Sequence, residues 1–559
     1  MKCFMKRIAA AFMTFAVTLG IAAGSFSIEA MAQDNDIVIL FTNDVHCAVD
    51  DNIGYAGLAL YEQEMQRQTP YVTLVDAGDA VQGAPIGTLS EGGYIIDIMN
   101  KLGYDIAIPG NHEFDYKVPR LLELNDRLAC KYISSNFINL KTGEPQFAPY
   151  KILDYGGTKV AYVGITTPES FTKSTPAYFQ DENGNYIYSF CEDSTGQRLY
   201  AQVQSAVDAA RAEGAQYVIA VSHLGLEGTT PIWTADAVIR NTNGINALID
   251  GHSHENYKTT FPNKDGVQII AAQTGTKLKS IGKMVIKPDG TITAEMVDNV
   301  VSSKLGPAAF VEGNTVKAVD NTTDAFIKNI QSQYSETLKQ VIGSTKVELT
   351  VLDPETGKRA IRSAETNLGD LTADGYRAIT GADIAFSNGG GIRASIKAGD
   401  ITYNDALTVF PFGNSACMIE AKGQQIKDAL EMGARNLPQE NGGFLQVSGL
   451  TYAVNTSVPS SVVTDDKGNF LRVNGAYRVS DIMVGGQPLD PNRTYKLASH
   501  NYMLLSGGDG MTMFSGCNVL LQDVAVDVDV LYNYINKNLG GVVGEDYANP
   551  RGQGRIVIR

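Results

Sequence analysis

The sequence predicts an α/β protein of two large domains joined by a helical linker. Short apolar runs alternate with longer, helix-compatible stretches through the first half of the chain. Five of the six histidines stand just past the C-terminal ends of such runs, the edge of an open α/β sheet where ligands bind. A polar stretch around residues 299–340 separates this half from a second apolar, glycine-rich half, and 559 residues are too many for one core.

In chain order, residues 1–32 read as a secretory signal peptide. Lys2, Lys6 and Arg7 are basic, residues 8–28 carry no charge, and Ala30-Met31-Ala32 is a small-x-small cleavage pattern. The run is long for a signal, so an uncleaved anchor is the competing reading; Gly20, Gly24 and scattered Ser and Thr favour cleavage. The mature protein is expected to be exported, without a stable membrane span. The first domain is expected over residues 33–305. Its strands are "DIVILF", "YVTLV", "DIAI", "VAYVGI", "YVIAV", "ALI" and "VQIIAA", beginning at residues 36, 71, 105, 160, 217, 247 and 267. Residues 306–342, with "AFIKNIQSQYSETLKQV", are expected as the linker helix, and residues 343–559 as the second domain.

A net charge of −16 repels phosphate backbones and argues against nucleic-acid polymers as partners; no protein partner is implied. After the signal leaves with Cys3, five scattered cysteines remain (Cys47, Cys130, Cys191, Cys417, Cys517) without a CxxC, which argues against a disulfide framework, leaving one bridge open, and against zinc-finger sites.

The strand ends carry the chemistry. They present Asp44 and His46 in "TNDVH", Asp76 and Asp79 in "DAGD", Asn111, His112 and Asp115 in "GNHEFD", His223 in "SHLG", and His252 and His254 in "GHSH". One histidine at a strand end is ordinarily a satisfied polar residue; five at one edge, each beside Asp or Asn, point to metal. Imidazoles with carboxylates, an amide oxygen and no thiolate suit Zn, Mn, Fe or Co. The ligands outnumber what one ion needs, so two divalent ions are expected, with His252 and His254 one to each. A bridging carboxylate and a shared hydroxide give the two-metal arrangement for in-line attack at phosphorus.

These five blocks resemble those of the calcineurin-like metallophosphoesterases. "TNLGDL", "SNGGGIRASI", "VFPFGN" and "SGGDG" resemble the C-terminal domain of bacterial 5′-nucleotidases, a family that includes UDP-sugar hydrolases and 2′,3′-cyclic phosphodiesterases. The resemblance implies a four-layer αββα metallophosphoesterase domain followed by an α+β substrate-binding domain. It makes Asp44, His46, Asp79 and His254 ligands of one ion, and Asp79, Asn111, His223 and His252 ligands of the other. His112 matches the catalytic histidine and Asp115 the carboxylate that orients it. Asp76 matches no ligand and is expected to hold a ligand or a turn; His500 is expected as a local hydrogen-bonding residue.

In the second domain the resemblance makes Arg362 and Arg393 substrate-binding residues, with Lys358 or Arg359 replacing a third arginine. Phe412 and Asn414 match the base-stacking aromatic and its neighbour, and Asp509 the aspartate near the sugar. Six residues before Asp509, where a second aromatic usually stands, this chain has Met503, which is expected to cover the other face of the base. The resemblance also implies rotation of the C-terminal domain between open and closed arrangements. The expected function is hydrolysis of nucleoside 5′-monophosphates or related nucleotides by an exported dinuclear-metal enzyme. The alternatives are a UDP-sugar hydrolase, a 2′,3′-cyclic-nucleotide phosphodiesterase, or a secreted binding scaffold, although a scaffold tolerates lost ligands and none is missing here.

Overall fold

A computed structural model describes residues 35–226, 230–298, 309–312, 315–522 and 524–559. The signal segment expected over residues 1–32 and the boundary stretch 299–308 lie outside the described residues. Among the described residues no helix is long and apolar enough to cross a membrane.

The N-terminal half is built on two sheets. In the first, Ile37–Thr42 pairs in parallel with Val72–Asp76, which pairs in parallel with Ile106–Ala107. Ile281–Ile286 and Ile292–Val297 extend it antiparallel on the other side. In the second, Thr158–Thr166, Tyr217–His223, Ala247–Ile249 and Gln268–Thr274 run parallel, with antiparallel edges at Tyr150–Tyr155 and Asn256–Pro262.

The absence of polar alternation in these runs is explained by burial on both faces. Ile37, Ile39 and Phe41 meet Tyr162, Ile219, Val221 and Ile249 between the sheets. The opposite pleat positions, Val38 and Leu40, pack outward against Tyr55 and Leu58 of helix Gly54–Gln68 and Ile95 and Met99 of helix Gly93–Leu102. On the far side, Ala161 and Val163 pack against Leu199 and Val203 of helix Gln197–Ala212. The layers are helix, sheet, sheet, helix, as expected.

The linker is shorter in helix than expected. Ala309–Glu312 and Thr315–Ala318 form an antiparallel strand pair, and the helix spans only Asn321–Ser332, followed by a turn at Ser335–Leu338. The β-branched and apolar residues of the two strands, Phe310, Val311, Thr315 and Val316, explain the difference, because such residues favour extended backbone. Asp320 caps the helix by accepting from Thr323 N, and Ile327 and Ile330 bury in the first domain's core.

The C-terminal half centres on a mixed sheet ordered Leu445–Ser448, Ile384–Asn388, Thr494–His500, Ala416–Lys422, Asn518–Leu521. Helix Gly423–Ala434 covers one face through Ile426, Ala429 and Leu430. Helix Asn367–Thr380 covers the other through Tyr376. Among the described residues, Cys47, Cys130, Cys191, Cys417 and Cys517 form no disulfide.

Candidate metal centre and substrate cleft

Parallel strands end together, so the turns after them converge. Asp44, His46, Asp79, His252 and His254 all have left-handed backbone, with φ of 49°, 49°, 60°, 83° and 59°. Non-glycine residues pay a conformational cost there, and such strain clusters at functional sites. A Cβ on Gly110 would collide with the Asp79 carboxylate and the His223 ring, so only glycine permits that approach.

One ligand atom each from Asp44, His46, Asp79 and His254 lies within 4.8 Å of the others. His46 Nδ1 donates to Gln82 O (3.0 Å) and His223 Nδ1 to Ala77 O (2.7 Å), which fixes both tautomers. His46 Nε2 then faces His254 Nε2 at 3.0 Å, and His223 Nε2 faces Asp79 Oδ2 at 3.1 Å. Asn111 Oδ1 is buried without a hydrogen-bond partner, and His223 Nε2 has only the Asp79 and Asp44 carboxylates before it. Buried lone pairs gathered without donors are costly unless a cation sits among them. The residues therefore fit divalent metal.

The electrostatics agree. Burial pushes His46 well below the usual imidazole range, and pushes His254 down to about 4 despite Asp44 beside it; neutral imidazoles are the form that binds metal. Burial also works to lower His223, but Asp79 and Asp44 outweigh it and hold it up at about 10, a proton occupying the place of a cation. Burial would raise the Asp79 carboxyl, yet His223 and His112 hold it well below the usual range.

His112 stands beside this cluster. Its backbone N–H donates to Asp79 Oδ1 (2.8 Å) and its Nδ1 to Asp115 Oδ2 (2.6 Å). Burial lowers its pKa, but Asp115 and Asp79 prevail and the net shift is upward.

Two buried glutamates support the cluster without belonging to any predicted site. Glu113 accepts from the backbone N–H of Asp79 (2.8 Å), Ala80 (2.8 Å) and Gly110 (2.7 Å), tying two turns to one carboxylate. Glu169 accepts from His252 Nε2 (2.8 Å) and from Thr230 N (2.8 Å) and Oγ1 (2.6 Å), which leaves Nδ1 as the ring nitrogen of His252 for a metal. Glu113 lies inside the "GNHEFD" block, whereas Glu169 lies in none of the five blocks. Asp76 holds a turn as expected, accepting from Thr42 Oγ1 (3.0 Å) and Gly78 N (3.1 Å).

Opposite stands the second domain, across a cavity of about 1220 Å³. Arg359, Arg362, Arg393, Phe412, Asn414 and Asp509 line it. Burial and the neighbouring Arg359 push Arg393 down to about 10. Arg362 Nε is buried without a partner, and Arg359 Nε donates to Glu440 (2.7 Å). This cluster supplies the positive field that the acidic chain otherwise lacks. The Phe412 ring lies 5.5 Å from His112 and 5.7 Å from the Arg393 guanidinium.

Met503 is a correction. It is fully buried in the hydrophobic core with Leu504 and Met511, and does not reach the cleft. Its neighbour Tyr502 does, because consecutive residues of the short helix Asn501–Leu504 face different directions. His500 is a local hydrogen-bonding residue, as expected: its Nε2 donates to Asn388 Oδ1 (2.9 Å), and Asn388 Nδ2 donates to Asp509 Oδ2 (2.6 Å).

Comparison with known proteins places these features. The calcineurin-like phosphoesterase family matches residues 37–256, and the 5′-nucleotidase C-terminal domain matches residues 341–516. A trifunctional nucleotide phosphoesterase protein, YfkN, of Bacillus subtilis is 27% identical over 93% of this chain and 35% of its own length. A 5′-nucleotidase of Vibrio cholerae is 28% identical over 90% of each chain. The crystal structure of a 5′-nucleotidase precursor from Thermus thermophilus superposes with a TM-score of 0.75 at 26% identity, covering 94% of this chain and 99% of the other. The chain belongs with the 5′-nucleotidases: a calcineurin-like phosphoesterase domain followed by a 5′-nucleotidase C-terminal domain, and by class a metal-dependent phosphoester hydrolase.

Proposed function

We propose that the enzyme is exported and releases phosphate from nucleoside 5′-monophosphates or closely related nucleotides. The observation that carries this reading is one cleft with a metal-ligand cluster on one wall, and arginines with an aromatic ring on the other. Asp44, His46, Asp79 and His254 would hold one divalent ion, and Asp79, Asn111, His223 and His252 a second. Bound there, Zn, Mn, Fe or Co supplies charge to polarise the phosphoryl group and activate a water.

The chain's own residues do the rest. His112, oriented by Asp115, which favours its imidazolium form, donates to the phosphoryl oxygens or to the leaving oxygen. Arg359, Arg362 and Arg393 offset the substrate's negative charge, with the planar donor geometry that suits phosphate. Phe412 offers a face to the base, with Asn414 and Asp509 beside the nucleoside.

The test is phosphate release by the enzyme recovered from outside the cytoplasm, assayed on AMP, UDP-glucose and 2′,3′-cyclic AMP, with elemental analysis of the loaded protein. AMP should be the preferred substrate, and metal should approach two ions per chain. Preference for either other substrate would overturn the assignment to nucleoside monophosphates. A fully active enzyme with one ion would overturn the dinuclear centre.

A further inference from the structure

Residues 169–174, immediately after strand Thr158–Thr166, bear no predicted role, yet they touch both wings of the site and the opposite domain. At one end, Glu169 accepts from His252 Nε2 (2.8 Å). At the other, Ser174 Oγ donates to Asp115 Oδ1 (2.9 Å), whose second oxygen holds His112. Between them, Thr172 O accepts from the Tyr502 hydroxyl (2.5 Å), and Lys173 Nζ lies 3.7 Å from Asp509 Oδ1. Tyr502 and Asp509 are themselves joined, Asp509 N donating to the Tyr502 hydroxyl (3.0 Å).

The segment is not a loose loop. Phe171 is fully buried, with its ring 5.0 Å from Phe190, 5.3 Å from Phe179 and 4.9 Å from Tyr186. Lys467 of the second domain reaches over the Phe171 ring at 4.9 Å. A short turn anchored by one packed ring shifts as a unit, because close-packed interiors do not deform continuously. Contacts made at Thr172 and Lys173 therefore bear on Glu169 and Ser174.

We propose that residues 169–174 couple the two domains to the chemistry: docking of Tyr502 and Asp509 on Thr172 and Lys173 aligns His112 through Ser174 and Asp115, and His252 through Glu169. Glu169 and Ser174 are positioning residues, since each acts through a histidine. The coupling rests on the roles given above to His112 and His252. Its consequence is that the site is fully aligned only when the nucleoside-carrying domain is docked.

A double-mutant cycle on the full-length, metal-saturated enzyme tests this with AMP. Ser174→Ala should lower kcat by about 10-fold, within the 10–100-fold range for lost outer-shell partners. KM and metal content should hold, and Ser174→Thr should restore the rate. Tyr502→Phe, which removes one hydroxyl, should also lower kcat. The double variant should lose at least about threefold less than the product of the single losses, since coupled sites are non-additive. Glu169→Gln should weaken binding of one Co²⁺ equivalent to the apoprotein by about 10–100-fold. Strictly multiplicative losses overturn the coupling, as does failure of Ser174→Thr to rescue. His112→Ala, assayed alongside, separates the two levels: wild-type kcat there would sink the role of His112 itself, whereas an inactive His112→Ala with multiplicative losses would sink the coupling alone.

Discussion

Phe412, Tyr502 and Met503 show what a residue's neighbours in sequence do and do not reveal. Counting back from "GGDG" puts Met503 where a second aromatic is usual, but helix geometry turns Met503 into the core and Tyr502 toward the cleft. The two side chains should therefore respond in opposite ways. Phe412→Ala removes a stacking face worth about 1–3 kcal/mol, so KM for AMP should rise by roughly tenfold. Met503→Phe overpacks a filled core and should cost about 1–3 kcal/mol of stability, read as a lower thermal midpoint, with KM for AMP unchanged. A lower KM in Met503→Phe would show that position 503 reaches the base after all.

At the scale of elements, the site depends on turns holding backbone that strands and helices would not adopt. Asp79 follows Gly78 into left-handed backbone, and Glu113 pins the result by accepting N–H groups from both the Asp79 and Gly110 turns. A carboxylate is needed there because all its partners are donors. Glu113→Gln would turn one acceptor into a donor facing backbone N–H groups. Titration of divalent metal into the apoprotein should then show about 10–100-fold weaker binding, the usual effect of a lost outer-shell partner. Unchanged affinity would mean that the turns hold their shape without Glu113.

For the whole molecule, the two domains meet face to face. Thr88 Oγ1 donates to Pro411 O (2.9 Å), Tyr502 to Thr172 O, and Lys467 pairs with Glu192 across the junction. Phe412 lies 5.5 Å from His112, and the domain rotation that the family resemblance implies would open this face for substrate entry and product release. A disulfide between Thr88→Cys and Pro411→Cys should hold it shut, so turnover should fall on oxidation and return on reduction. The chain's own cysteines make the single variants the necessary controls. Undiminished turnover of the oxidised double variant would rule out the opening motion.

The sequence by itself determined the parallel strands of the first domain and the chemistry at their ends. Uncharged runs such as "VILF" and "YVIAV" can satisfy their backbone and bury both faces only inside a covered sheet, and that pattern is local. The antiparallel edge strands Tyr150–Tyr155 and Ile292–Val297, and Ile281–Ile286 beside the second, were less legible, since they mix polar and apolar residues. Only the tertiary structure decided which atoms meet. His46 and His254 are 208 residues apart in sequence and 3.0 Å apart in space, and Glu113, Glu169 and Tyr502 owe their places to partners far along the chain. Periodicity and residue type are properties of neighbouring positions, whereas hydrogen bonds and ligand geometry arise from packing between distant ones.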